Sequence, residues 1–507
     1  MSDGALLELV ARGKKDAFFL QNPTKSLFGA PYNQRSPSTR EIWYQETESP
    51  AQFGKFVDIE IPRVGDILKS VDVLIQLPTW LPPDIADLNR SIVLDASGNP
   101  SYSITIKQEF DLSIGKTKYL NYGWTNGVAN FLIKRWVLLM DSIQLQEGYG
   151  DYNDWHPDSE TTHLRASLIH QATGTHDGSN INIQRNATPP ELIFHVPLVG
   201  CQREGDTGLP IIGVRSQKLV LRLFLADRLS LVESGTYEDA PLGGKLVYEV
   251  CPNPWGGREI YVCANNPSGC NPPTPATPAG YTLQPQESGN PIIRGRFEIL
   301  HVDAELRKQL IEKPHEILYT QQVRQDFTLE NKDWPSVPGL VHSKNVAVEL
   351  QGLFQRIMLG LTSLIRKRQN KYRDLNPPIT HELGTYSPIP VSRSSIDWMS
   401  LLSFQVNSQD RVYPWPTGTF QELSQNLQLK RDVARQLYFI VFGVSPDSEP
   451  GGALNLARTQ KANLIMNLNY ILPDTQLNSR LTFASMMAET WNVLDIKGGL
   501  ANVRFAD

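Results

Sequence analysis

The sequence predicts an all-β protein with two domains, each a sandwich of short strands. The chain has 507 residues, which is more than a single hydrophobic core usually supports. Most periodic segments are short, and Gly, Pro, Asn or Asp residues bound them. The 36 Gly and 36 Pro residues supply many turns. A parallel α/β sheet would instead need helices of roughly 10 to 15 residues between its strands, and few segments qualify.

Alternation of apolar and polar residues gives the clearest strand signal at Lys218–Leu225. Every second residue from Leu219 to Leu225 is a leucine, whereas Lys218 and Arg222 lie on the opposite face of an extended chain. About seven or more such strands per domain are typical of a sandwich or jelly roll. Similar signals occur at Phe56–Ile61, Val71–Leu77, Trp136–Leu145, Glu191–Val196, Gln436–Val444 and Ala462–Leu468.

Three segments depart from this strand pattern. Asp303–Leu318 is the clearest helical segment, and Pro314 is expected to interrupt it. Pro252–Asn290 is rich in Pro, Gly, Asn and Ser and predicts a long exposed loop. Pro82–Tyr122 is a polar insertion with patchy β character, which we expect to face outward.

Composition argues against several functional classes. A formal net charge of −5 leaves no basic stripe for a nucleic-acid backbone, so we expect no direct nucleic-acid binding. The strongest apolar runs, such as Leu437–Phe442, fall far below the roughly 18 residues that span a bilayer. The N-terminus does not resemble a secretory signal. We therefore expect a soluble protein made in the cytosol.

The four cysteines predict neither a disulfide scaffold nor a metal site. They lack the paired C-x2-C spacing of a zinc site, and free thiols are expected, with one disulfide as the alternative. They are Cys201, Cys251, Cys263 and Cys270.

Partial catalytic motifs are incomplete. Gly115-Lys116-Thr117 resembles the end of a phosphate-binding loop, but Phe110 stands where the first glycine of that motif belongs. His315-Glu316 and His381-Glu382 each begin like a zinc-protease motif without its second histidine. There is no G-x-S-x-G elbow. The sequence therefore predicts no catalytic residue and no cofactor.

Two polar segments also receive structural interpretations. The first concentrates carboxylates and histidines, but lacks the EF-hand spacing and predicts a solvated loop; it comprises Asp151, Asp154, His156, Asp158, Glu160 and His163. The second is the densest basic cluster and predicts a solvated face or an interface with an acidic neighbour; it comprises Arg366, Lys367, Arg368, Lys371 and Arg373, with Tyr372 among them.

Asn89 and Asn186 begin formal N-glycosylation motifs. Such short motifs recur by chance, and use of either depends on the compartment in which the protein matures. Both asparagines are therefore candidate modification sites only.

A series of short motifs runs along nearly the whole chain. In the first half they are Gly4–Gly13, Asp16, Asn22-Pro23, Leu27-Phe28, Val64–Leu68, Val137–Leu145, Gly148–Asp151, Trp155, Val196–Leu198 and Gly208–Ile212. In the second half they are Pro314–Glu316, Gln321–Val323, Asn407, Gln409–Arg411, Tyr438–Val444, Glu449–Gly452, Asn455–Arg458, Trp491–Leu494 and Gly498–Ala501. In this order they resemble the major capsid proteins of nucleocytoplasmic large DNA viruses, especially the algal-virus and iridovirus-like type.

The resemblance implies two consecutive eight-stranded jelly-roll domains, a double jelly roll with long loop insertions. It places an N-terminal arm at 1–29, a first jelly roll at 30–322 with insertions near 82–122 and 229–292, and a second at 323–507. Gly148–Asp151 and Trp155 would then form an exposed hydrophilic turn. The matched residues are strand faces, turn glycines and prolines, which is typical of a scaffold.

The same resemblance implies a structural protein without enzymatic activity. A homotrimer of double jelly rolls would have a nearly hexagonal outline and would tile an icosahedral shell. Its partners would be neighbouring capsomers and minor capsid proteins, in a virion assembled in the host cytoplasm. A minor capsid or assembly-scaffold protein remains an alternative. So does a carbohydrate-binding jelly-roll protein, which would need converging aromatic residues and paired carboxylates.

Overall fold

A computed structural model provides the three-dimensional structure of the protein. It describes residues 37–78, 93–94, 100–101, 109–111, 116–118, 122–141, 143–160, 163–175, 190–201, 208–234, 236–239, 246–249, 261–262, 289–368, 370–377, 397–417, 419, 437–443, 452–459, 461–471 and 479–505.

Strands dominate the described residues. In the first half they are β1 (Ser38–Glu46), β2 (Phe56–Glu60), β3 (Ile67–Gln76), β4 (Val93–Leu94), β5 (Pro100–Ser101), β6 (Glu109–Asp111), β7 (Lys116–Lys118), β8 (Tyr122–Trp124), β9 (Ile133–Met140), β10 (Ile143–Tyr149), β11 (Leu192–His195), β12 (Leu219–Leu225), β13 (Val232–Ser234), β14 (Thr236–Asp239), β15 (Leu246–Glu249), β16 (Tyr261–Val262) and β17 (Ile292–Val302). In the second half they are β18 (His315–Leu329), β19 (His342–Ala347), β20 (Leu353–Ser363), β21 (Met399–Val406), β22 (Gln409–Pro416), β23 (Leu437–Val441), β24 (Leu454–Asn455), β25 (Ala462–Leu468), β26 (Thr482–Lys497) and β27 (Leu500–Val503).

Eight strands of the first half form two facing antiparallel sheets. One sheet has the order β1-β17-β3-β11 and the other has the order β10-β9-β12-β2. When these eight strands are counted along the chain, the orders are 1-8-3-6 and 5-4-7-2. The first and last strands are therefore neighbours, as expected of Greek-key connections in a jelly roll.

The second half repeats this topology. Its sheets are β18-β26-β20-β23 and β19-β25-β21-β22, with β24 and β27 as additional strands on β20 and β26. Counted in the same way, the orders are again 1-8-3-6 and 2-7-4-5. The predicted fold, two consecutive eight-stranded jelly rolls, is confirmed.

Five α-helices lie among the described residues, all in connections between strands. They are α1 (Val128–Leu132), α2 (Gly150–Glu160), α3 (His163–Ala172), α4 (Ala304–Glu312) and α5 (Leu364–Arg368). Short 3₁₀ turns occupy Ile211–Gly213, Arg228–Ser230 and Asn331–Asp333. No described helix is both long enough and apolar enough to pass through a membrane.

Each sandwich has its own core, because alternate residues of the strands face inward. In β12 the four leucines are buried and the residues between them are half-buried, as the alternation predicts. Trp136, Phe194 and Phe297 lie in the first core. Trp334 and Trp398 lie in the second core, with their rings 5.8 Å apart.

Two local predictions were only partly right. Alternation at Trp136–Leu145 indicates a strand and the resemblance indicates a strand pair; the structure has the pair, a hairpin of β9 and β10 that reverses at Asp141 with a φ of 53°. The helix predicted from Asp303 ends at Glu312, and the chain is a strand from His315 onwards. A proline at position 314 explains this boundary, because it disfavours helical conformation in the residue before it.

The two predicted insertions lie largely outside the described residues. Within Pro82–Tyr122 the structure describes β4 to β7, which form two small hairpins, and the start of β8. Within Pro252–Asn290 it describes β16, which pairs with β15, and residues 289–290.

Asp72 connects three strands on the outer face of the first sheet. Its carboxylate accepts hydrogen bonds from Arg296 Nη1 at 2.5 Å and pairs with His195 Nδ1 at 2.9 Å. Burial raises the pKa of Asp72, but the hydrogen bonds and positive charge of His195 and Arg296 outweigh it, and the pKa lies below its usual value. The carboxylate therefore stabilises the fold above the unfolded-state pKa of about 4, and acid removes this contribution.

We predict that Asp72→Asn lowers the free energy of unfolding by about 1 to 3 kcal/mol at pH 7, because hydrogen bonds to a charged group are lost. The difference from the unsubstituted protein should shrink as the pH falls below about 4. Urea denaturation at pH 7, 5 and 3 measures this, with Glu349→Gln at an exposed position as the control. A difference that stays constant with pH would contradict the assigned role.

Candidate functional site

The junction between the two jelly rolls has an apolar centre of its own. Tyr152 and Trp155 of α2, in the first half, pack with Met358, Phe439 and Met487 on the outer face of the β18-β26-β20-β23 sheet. Close contact requires a glycine on this face, because a Cβ atom at position 360 would lie 2.4 Å from the indole of Trp155. The helix therefore covers a sheet of the other jelly roll.

This packing overturns two predictions. The polar run that starts at Asp151 is not a solvated loop, and Gly148–Asp151 with Trp155 is not an exposed hydrophilic turn. Residues 150–160 are helical instead, and Asp154 is fully buried. Tyr152 and Trp155 lie three residues apart and share one helical face, a signal that the surrounding carboxylates obscure. Asp158, Glu160 and His163 lie in helices, and their side chains lie outside the described part of the structure.

A buried ion pair joins the halves beside this apolar centre. Asp154 Oδ1 lies 3.0 Å from Arg373 Nε, and Asn130 Nδ2 donates to the same oxygen at 3.2 Å. The imidazole of His170 lies against the guanidinium, with both ring nitrogens 3.4 Å from Arg373 Nη2. A charge buried this deeply needs such partners, because desolvation is costly.

Other members of the predicted basic cluster also make contacts within the chain. Arg366 Nε lies 3.0 Å from an Asp374 carboxylate oxygen, and Lys367 Nζ lies 3.6 Å from the centre of the Phe483 ring. Burial lowers the pKa of Lys367. The Tyr372 hydroxyl donates to the backbone carbonyl of Ser230, in the first half, at 2.8 Å. The cluster thus contributes to the junction.

A second polar network crosses the junction at Arg324. Its guanidinium contacts Asp151 Oδ2 at 2.6 Å and Asp326 Oδ1 at 2.8 Å. Burial raises the pKa of Asp151, although the charge of Arg324 opposes this rise. The network therefore fixes the start of α2 to β18.

Two buried glutamines complete the contact. Gln322 lies in the motif Gln321–Val323, whereas Gln146 belongs to no motif of the sequence. Gln146 Nε2 donates to the backbone carbonyls of Pro197 and Thr320 at 3.1 and 3.0 Å. Gln322 Oε1 accepts a hydrogen bond from the backbone N–H of Tyr149 at 2.8 Å. A glutamine in a strand is unremarkable on its own, and the sequence holds no local sign of these long-range partners.

Where they are described, the partial catalytic motifs lie in strands. Lys116 and Thr117 lie in β7, which pairs with β6 through Phe110, whereas a phosphate-binding loop leads into a helix. His315 opens β18, and its Nε2 lies 3.0 Å from the carbonyl oxygen of Leu310. His381 lies outside the described residues.

Of the cysteines and the two candidate glycosylation sites, the structure describes only Cys201. Cys201 is a buried free thiol, and burial raises its pKa to about 12. The described residues contain no group of three or more His, Cys, Asp or Glu side chains that could hold a metal ion. The remaining candidates, Cys251, Cys263, Cys270, Asn89 and Asn186, lie outside the described residues.

Among the exposed apolar side chains of the described residues, two groups of three lie on different jelly rolls. On β1, at an edge of its sheet, Ile42, Trp43 and Tyr44 are consecutive and exposed. In the turn before β19, Val337, Leu340 and Val341 are 50%, 50% and 49% exposed.

The turn before β19 is firmly anchored at its base. Trp334 is buried in the second core, and Lys344 Nζ lies 2.7 Å from Asp333 Oδ1 across the two ends of the turn. The base of the turn therefore holds its apolar tip, formed by Val337, Leu340 and Val341, in a defined position.

Comparison with known proteins supports the fold. No protein-family model matches the chain, and no curated protein sequence is significantly similar. Among solved structures, the VP54 protein of PBCV-1, fitted into a cryo-EM reconstruction of the virophage Sputnik, is 16% identical with a TM-score of 0.65, and the match covers 95% of this chain and 100% of that one. For the quasi-atomic model of the PBCV-1 virus capsid the values are 15%, 0.64, 95% and 100%.

The Faustovirus major capsid protein is 12% identical with a TM-score of 0.60, over 97% of both chains. All three matches extend over both jelly rolls. The chain is therefore a double jelly-roll protein. Its predicted resemblance to the major capsid proteins of large DNA viruses is confirmed at the level of the fold.

We predict a strong energetic coupling between Asp154 and Arg373. Arg373→Met should cost about 3 to 5 kcal/mol, because it leaves a buried carboxylate without its cation. Asp154→Leu combined with Arg373→Met should cost less than the sum of the single substitutions, by about 0.5 to 3 kcal/mol. A double-mutant cycle in urea measures this coupling.

The matched control is the exposed pair Lys308 and Glu312 on α4, whose charged atoms lie 4.0 Å apart. Its coupling should be clearly weaker, because solvent screens both charges. Additive effects of the Asp154 and Arg373 substitutions would show that the pair does not join the halves.

Proposed function

We propose that this protein is a structural component of a viral capsid, forming trimers that tile an icosahedral shell. One observation carries the proposal: the match to capsid proteins covers 95–97% of this chain and 97–100% of theirs. A match of that extent includes both sandwiches and the connection between them. Such an extensive match favours a structural subunit, in which both sandwiches contribute to assembly, over a binding protein that shares only a common fold.

The repeated topology explains how such a shape could form a shell. Each chain carries two sandwiches with the same strand order, so three chains around an axis present six similar sandwiches. The trimer then has a nearly hexagonal outline, which packs without gaps on a flat facet. Threefold symmetry makes the contacts within the trimer heterologous and self-limiting, while contacts between trimers propagate across the shell.

We assign the exposed apolar groups to contacts between copies of this chain. A heterologous ring needs two different surfaces on every subunit. The groups at Ile42–Tyr44 and at Val337–Val341 meet this need, because one lies on each jelly roll. Apolar side chains clustered at a surface are typical of protein interfaces.

The proposal includes the protein's location and partners. We infer a virion protein assembled in the host cytoplasm, which contacts neighbouring capsomers and minor capsid proteins and carries out no chemical turnover. The division at residues 322 and 323 and the arm at 1–29 remain predictions, as do glycosylation at Asn89 and Asn186. Copy number in purified particles separates a major from a minor capsid protein, because the major one dominates by mass.

Light scattering of the purified protein tests the trimer. We expect a mass near three chains, and the variant Leu340→Asp should lower it towards one chain, because a charge at the contact opposes its desolvation. Ser336→Asp, which adds the same charge at an exposed position of the same turn, is the control and should keep the trimer. A chain that stays monomeric at high concentration would contradict the proposal and favour the carbohydrate-binding alternative.

A further inference from the structure

The hairpin of β26 and β27 extends from the second jelly roll onto the first. β27 pairs with the final four residues of β26, from Leu494 to Lys497. Gly498 and Gly499 form the turn with φ values of 64° and 86°, which glycine adopts without strain. We refer to Leu494–Val503 as the closing hairpin.

The inner face of the closing hairpin belongs to the core of the first jelly roll. Leu494, Ile496 and Ala501 are each at most 2% exposed and lie in the same apolar cluster as the strands of the first sandwich. A Cβ atom added at Gly213 would lie 3.3 Å from a methyl carbon of Ile496. The outer face is different, because Leu500, the neighbour of Ala501, is 46% exposed.

Hydrogen bonds fix the closing hairpin to the segment that leads into β12. The backbone N–H of Ala501 donates to Gln217 Oε1 at 2.9 Å, between residues 284 positions apart in the sequence. The backbone N–H of Ser216 donates to the carbonyl of Gly499 at 3.2 Å. Both contacts lie immediately before Leu219, the first buried leucine of β12.

We propose that the closing hairpin is a structural strap that completes the core of the first jelly roll. The first sandwich has all eight of its own strands by Val302, but its apolar cluster remains open until the hairpin arrives from far downstream. The first jelly roll thus reaches its closed form only together with the second. A chain that lacks the hairpin therefore cannot complete the core of the first jelly roll. This consequence does not depend on how the protein assembles.

Native-state hydrogen exchange tests the strap locally. Ala501→Asp places a charge in the first core, and we expect at least tenfold faster exchange in residues 211–217 and in β12. Exchange in β19, β25 and β21 of the second sandwich should stay unchanged, because sub-global openings are confined to the region that loses contacts. Leu500→Asp is the matched control, since it places the same charge at the exposed neighbour.

The proposal is overturned if faster exchange is confined to the hairpin, if both sandwiches respond equally, or if Leu500→Asp has the same effect. If Ala501→Asp does not fold, Gln217→Ala provides the test of the strap. This variant removes only the acceptor for the Ala501 N–H, so exchange should rise several-fold at residues 214–217 and at Ala501. No change at these residues would refute the strap. All contacts of the strap lie within one chain, so exchange at these residues can be measured whether or not the protein forms trimers. Light scattering would recognise failure of the proposed assembly separately.

Discussion

The whole structure depends on one long antiparallel pair, formed by β18 and β26. Continuous pairing runs from His315 opposite Ile496 to Leu329 opposite Thr482. One end lies in the first core, through Tyr319 and Ile496, and the other lies in the second core, through Leu329. Because a single hydrogen-bonded pair enters both cores, it connects the two sandwiches directly. The helix α2 packs on the sheet that contains this pair, and the closing hairpin continues from its end at Leu494–Ile496.

Polar groups at the junction add directional constraints that apolar packing lacks. The apolar contact of Tyr152 and Trp155 tolerates small shifts, whereas the ion pair of Asp154 and Arg373 and the hydrogen bonds of Gln146 hold only in one arrangement. In the proposed shell, such constraints would give every copy of the subunit the same angle between its two sandwiches. An angular error at the junction would otherwise accumulate from subunit to subunit.

Much of the fold could be predicted from the sequence, because strand faces follow a local rule. Strands such as β2, β12 and β25 show apolar residues at the buried positions that alternation requires. Alternation fixes whether a position is apolar or polar but not which residue occupies it. This chain can therefore share its fold with solved structures that are only 12–16% identical to it. The resemblance to capsid proteins rested on such positions, together with glycines and prolines in turns.

The resemblance indicates a junction near Gln321–Val323, but the contacts across it could not be predicted, because the contacting residues are distant in sequence. Asp154 looks like a solvated carboxylate until Arg373 is brought beside it by the fold. The helix α2 was missed because its carboxylates outnumber the two aromatic residues that anchor it. The sequence marks the closing hairpin only by the motif Gly498–Ala501, since nothing near Ala501 indicates that Gln217 accepts its N–H.

Electron cryomicroscopy of the purified protein would show directly whether the double jelly roll assembles as proposed. We expect a threefold particle with six sandwiches around the axis, in which β18 and β26 connect the two sandwiches of each chain and a neighbouring copy covers the turn at Val337–Val341. A particle of other symmetry, or a monomer with that turn in solvent, would contradict this expectation.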